Sequence, residues 1–112
     1  MMATDPGDRA PQGAKAEREA ARELIAGYHQ AQLRMLLDHV RAGFAQLDTG
    51  EIDEFELDDV IHHYKRSAAD LWKFCGSSAS EWLRAANALS FIRERGDEPD
   101  WWERGALRGR PA

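Results

Sequence analysis

Cysteine occurs once in the 112 residues, at Cys75, so no internal disulfide can staple the chain and no second thiolate is present to share a zinc site. Proline is missing between Pro11 and Pro99, which removes from the central stretch the residue that most reliably breaks a helix. No run approaches the roughly 18 consecutive apolar residues that a membrane-spanning helix requires. Residues 1–13 carry Asp5 and Asp8 and lack the apolar run of a secretory signal. Together these absences predict a soluble, cytoplasmic protein with no membrane partner. Strand patterning is also missing: nowhere do apolar and polar residues alternate with β-branched content. Lysine is scarce, since only Lys15, Lys65 and Lys73 stand among the 15 basic residues. With the abundant alanine, that bias suggests a GC-rich bacterial coding sequence. The basic residues are spread out apart from a tail containing Arg104, Arg108 and Arg110, and the net charge is −5. An acidic chain of this kind gains little from counterion release, so nucleic acid is not an expected partner.

What is present is helical periodicity. Hydrophobic residues make up 43% of the chain and charged residues 31%, a globular balance. Residues 1–14 hold Pro6, Gly7, Pro11 and Gly13 with no large apolar side chain after Met2, and are expected to form a disordered arm. Ala21, Leu24, Ile25, Tyr28, Met35, Leu36, Val40, Phe44 and Leu47 then recur at intervals of three and four, which predicts one long helix over 15–48, closed by Gly50. A second helix over 54–75 is capped by Asp53 and Glu56. Its stripe runs through Leu57, Val60, Ile61, Tyr64, Ala68, Leu71, Trp72 and Cys75. Ser78 and Glu81 stand in capping-box spacing for a third helix over 78–95, ended by Gly96. Trp101 and Trp102 follow Pro99 in a short turn expected to fold back on the bundle, and residues 105–112 are expected to fray. The fold class is therefore all-α: a three-helix bundle with a long first helix, occupying residues 15–104. The long helix overhangs its neighbours, so the apolar part around Ala21 to Tyr28 calls for a partner, either a second copy or another protein.

Residues that could carry chemistry are few. Projection of the first helix at about 100° per residue places His29, Gln32, His39 and Gly43 within its apolar arc. In the second helix Asp58 and His62, like Asp59 and His63, are four apart, and Asp59 with His62 makes the acid-x-x-His step used in di-iron carboxylate bundles. A dimer could double that step, so Asp58, Asp59, His62 and His39 form a candidate metal set. The same projection turns Asp59 and His63 away from the stripe, and helix-surface ion pairs are the plainer explanation. No cofactor is expected. Residues 48–59 hold seven carboxylates and no basic residue, but Ala45 and Leu47 stand where an EF-hand needs its first oxygen ligands. Glu51, Glu54 and Glu56 are expected to offer an acidic docking knuckle, and Trp101, Trp102 and Phe91 an aromatic one. Trp72 and Trp82 are expected to cover the bundle end. Cys75 falls on a helical stripe and reads as a buried, inert thiol.

Residues Phe55–Lys65 and Leu71–Cys75 resemble short, uncharacterised bacterial helical proteins. The resemblance covers about a fifth of the chain and implies no activity, cofactor or catalytic residue. With no nucleophile–base pair and no phosphate-binding glycine loop in the sequence, an interaction protein (a regulator or adaptor) is the leading expectation. A dimeric metal-binding helical protein or enzyme is the alternative.

Overall fold

The computed structural model describes residues 6–107, with side chains described from Gly13 onward. Four helices follow one another: α1 (Pro6–Asp48), α2 (Glu54–Cys75), α3 (Ala79–Arg95) and α4 (Trp101–Arg104), with no strand among the described residues. None is long and apolar enough to cross a membrane. The predicted three-helix bundle with its short C-terminal turn is the observed architecture. α2 has the predicted bounds and α3 starts one residue later than predicted. α1 is continuous from Pro6, upstream of the start expected at Lys15. Residues 1–5 of the expected arm, and residues 108–112 of the expected tail, lie outside the described residues.

Local chemistry sets these boundaries. Gly50 takes φ +79° and ends α1, while the Glu51 amide bonds the Gln46 carbonyl at 2.9 Å. At the start of α2, Asp53 Oδ1 accepts from the Glu56 amide at 2.8 Å and Glu56 Oε1 accepts from the Asp53 amide at 3.0 Å. This reciprocal box satisfies two amides that a helix start otherwise leaves open. At α3 only half of the box predicted from Ser78 and Glu81 forms. Ser78 Oγ accepts from the Glu81 amide, but the Glu81 carboxylate turns one residue further, to the Ser77 amide at 2.8 Å. The Ser77 amide, with a smaller contribution from the Ser78 hydroxyl, holds its carboxyl below the usual glutamate range. Gly96, at φ +72°, closes α3 with the Asp97 amide on the Ile92 carbonyl.

α1 is the spine. It packs along both α2 and α3, α4 rides mainly on α2, and α2 and α3 touch little. Ile25, Tyr28 and Leu36 of α1 meet Leu71 and Cys75 of α2, Ala85 and Leu89 of α3, and Trp101 of α4 in one core. Ala21, Ile25 and Tyr28 are all buried. Much of the apolar segment expected to need an external partner is therefore covered within the chain by α3, which runs back beside it, while Leu24 remains 45% exposed. What outruns the bundle is the segment of α1 before Ala21, whose residues 15–20 are exposed and mostly polar.

Two glycines mark close approaches. A Cβ on Gly43 would meet Leu57 Cδ1 at 2.9 Å, the mobile end of a side chain. A Cβ on Gly105 would lie 1.9 Å from Ser67 Oγ and 2.6 Å from the Ser67 amide nitrogen, against a backbone that cannot yield. Gly43→Ala should change stability by less than about 1 kcal/mol, since gained helix propensity offsets the crowding. Gly105→Ala should lose about 1–3 kcal/mol through overpacking. Urea denaturation of both variants checks the pair, and equal midpoints would contradict the placement of Gly105.

Candidate functional site

The C-terminal tryptophans serve the fold. Trp101 is only 3% exposed; its ring lies 5.4 Å from that of Phe74, and its Nε1–H donates to Tyr28 Oη at 2.7 Å. Burial raises the Tyr28 phenol above its ordinary range, and the bond from Trp101 opposes that shift. Trp102 is half-buried between two imidazoles, with His39 stacked at 4.0 Å on one face and His63 at 3.6 Å on the other. The Trp102 carbonyl accepts from His63 Nε2 at 2.6 Å and from Ser67 Oγ at 3.2 Å, and Arg66 Nε donates to the Gly105 carbonyl at 2.8 Å. Since a carbonyl can only accept, Nε2 of His63 carries the proton. Of the two tryptophans expected to face a partner, Trp101 is sealed in the core of its own chain, while Trp102 packs against α1 and α2 with part of its surface left in solvent. Two features of α2 escaped the sequence pattern. His63 was turned to solvent by its own helix's stripe, because α4 adds a layer that the stripe does not contain. Ser67 is fully buried, and a serine inside an apolar arc was the available signal.

The candidate metal residues are not gathered. His62 Nδ1 donates to the Asp58 carbonyl at 2.8 Å and sits 3.4 Å from the Asp58 carboxylate, both side chains exposed. His39 belongs instead to the Trp102 stack, on the opposite side of that ring from His63. No group of three or more metal-capable side chains occurs among the described residues. The acidic knuckle is exposed but partly committed: Glu56 caps α2 and Glu51 accepts from the Thr49 hydroxyl at 2.8 Å. Glu54 is exposed in the first turn of α2. Phe91 is exposed with the Arg95 guanidinium 5.4 Å over its ring.

An exposed apolar surface lies elsewhere, on the α1–α2 hairpin. Tyr28 and His39 mark the flank of α1 that meets Phe74 and α4; His63, Ser67 and Phe74 mark the corresponding flank of α2. About 100° per residue around each helix, Leu33, Leu37, Val40 and Phe44 of α1 and Ile61, Tyr64, Ala68 and Trp72 of α2 occupy the other side of this hairpin. Leu33, Tyr64 and Ala68 pack partly against the core and form a floor. Leu37, Phe44 and Trp72 stand around it, 43%, 49% and 56% exposed. His29 packs edge-on to Trp72 at 5.7 Å, and burial lowers its pKa. Trp72 lies with Trp82 beside Gly76 and Ser77 at the bundle end, as expected, and its exposed side also borders this open face. Cys75 is fully buried, and burial pushes its thiol up to about 11, so it is no nucleophile at neutral pH.

No family model matches the chain, and neither curated proteins nor solved structures yielded a match.

Trp101→Ala should destabilise the fold by about 3–5 kcal/mol through the cavity it leaves. Trp101→Phe should cost less, with about 1 kcal/mol of its loss arising from the missing hydrogen bond to Tyr28. Thermal melts followed by circular dichroism check this, and a wild-type melting temperature for Trp101→Ala would contradict the buried placement.

Proposed function

We propose that this is a small helical interaction protein, acting in the bacterial cytoplasm as a regulator or adaptor, and that it docks another protein on the open face of the α1–α2 hairpin. The observation that supports this reading is the one-sided closure of the hairpin. α3 and α4 cover one side, while Leu37, Phe44 and Trp72 remain in water around a floor of Leu33, Tyr64 and Ala68. A surface of this kind, apolar and contiguous, is what contact sites look like in soluble proteins. An amphipathic helix laid along the seam between two antiparallel helices would bury its apolar stripe on that floor. A second copy offers such a stripe through its own hairpin, and stacking two hairpins would give a four-helix core. The aromatic rim suits the role, because tryptophan commonly carries a large share of interface energy.

Leu37→Gln combined with Trp72→Gln should leave the helical circular dichroism unchanged, since both side chains are already exposed. Affinity purification of the tagged chain from its native host, with light scattering of the purified protein, should show a stoichiometric partner or a dimer that the double variant loses. A double variant that retains the same partner or the same dimer contradicts docking at this face.

A further inference from the structure

A cleft of about 500 Å³ opens on the other side of the bundle, between α2, α3 and α4. It exists because α2 and α3 scarcely touch: each leans on α1, and α4 rides on α2. Ala85 and Ala88 of α3 supply too little volume to fill the gap. The wall on the α2 and α4 side is aromatic, formed by Phe74 and the core residue Trp101 with ring centres 5.4 Å apart. The Trp101 indole N–H is already occupied by Tyr28, so this wall is apolar in character.

The rim is cationic. Lys73, Arg84 and Arg104 line the cleft against the single carboxylate of Asp70. In a chain of net charge −5, three cations from three different helices converge on one cavity. The ion pairs among the described residues use Arg41, His62, Arg93 and Arg95, and none uses these three. Arg104 is held 5.1 Å over the Trp101 ring, which places its guanidinium beside the aromatic wall. The volume lies within the range of small-molecule pockets, which typically pair apolar walls with a few convergent polar groups.

We propose that this cleft binds a small organic anion: a flat apolar body against Phe74 and Ala88, over the nearly sealed edge of Trp101, with one carboxylate or phosphate held by Arg84, Arg104 and Lys73. Guanidinium groups suit such heads because their planar fork donates two parallel hydrogen bonds. Asp70 disfavours a ligand charged negatively at both ends. The cleft shares no residue with the open face of the hairpin, so a failed docking test there leaves this site untouched.

The test is a nitrogen–proton chemical-shift titration of the full chain at low salt with four probes: 2-naphthoate, 1-naphthyl phosphate, neutral 2-naphthamide and inorganic phosphate. Either or both naphthyl anions should give saturable shifts at Phe74, Ala85, Ala88 and Arg104, and whichever binds tighter identifies the preferred head group. Naphthamide and inorganic phosphate should each bind at least about tenfold more weakly, lacking the charged hydrogen bonds or the ring. Arg84→Gln with Arg104→Gln should weaken the preferred anion by about tenfold or more. Ala88→Leu should block it by filling the cleft, with the helical circular dichroism retained. The proposal is overturned by any of three results: no saturable shifts from either naphthyl anion, equal affinity for naphthamide, or shifts centred on Leu37 and Trp72 instead.

Discussion

The hydrogen bond from Trp101 Nε1 to Tyr28 Oη joins residues from opposite ends of the described chain inside one apolar core. Both groups are amphipathic, and each would leave a costly unsatisfied polar atom if buried alone. Paired, they let a large ring enter the core beside Phe74 and Leu71 without an orphaned donor, and no buried side-chain polar atom lacks a partner among the described residues. The neighbouring contacts follow from that anchor. With Trp101 inside, Trp102 is delivered to the slot between His39 and His63, its carbonyl meets His63 and Ser67, and Gly105 comes close enough to Ser67 that only a hydrogen fits.

This anchoring makes the molecule one-sided. A hairpin of two helices has two faces, and a third helix with a four-residue hook can cover only one of them. α3 and α4 close the side of Tyr28 and Ser67, and the hydrophobic residues Leu37, Phe44 and Trp72 are left to solvent. The same economy leaves a gap on the closed side, since a four-residue helix cannot span the distance between α2 and α3. The docking face and the basic cleft are thus two consequences of one packing arrangement.

Much of the fold was legible because helix signals are local. Asp53 with Glu56, and the glycines at 50 and 96, fix helix ends through bonds within a few residues of themselves. The periodic stripe through Leu57, Leu71 and Cys75 pointed inward as expected. The candidate sites were far less legible, because they depend on which helix covers which flank. An apolar stripe wider than one neighbour cannot say which of its margins will be covered. Trp72 and Trp101 are alike in sequence terms, each an aromatic in a helical segment, yet α4 folding onto α2 buries the second while the first stays open. His63 shows the same limit, since its own helix turns it outward and α4 covers it. The acidic residues 51–56 were visible as a run and the Asp53–Glu56 cap within it was expected, but that Glu51 would be committed to Thr49 followed only from the turn geometry.

The central claim, that the C-terminal tryptophans are built into the fold while Trp72 borders an open face, can be tested directly in solution. The indole N–H signals of the four tryptophans would be assigned and titrated with a soluble gadolinium chelate, which broadens protons according to their exposure. Trp72 should broaden strongly, Trp101 should be protected, and Trp102 should fall between them. Equal broadening of Trp101 and Trp72 would contradict the anchored hook and the one-sided closure that follows from it.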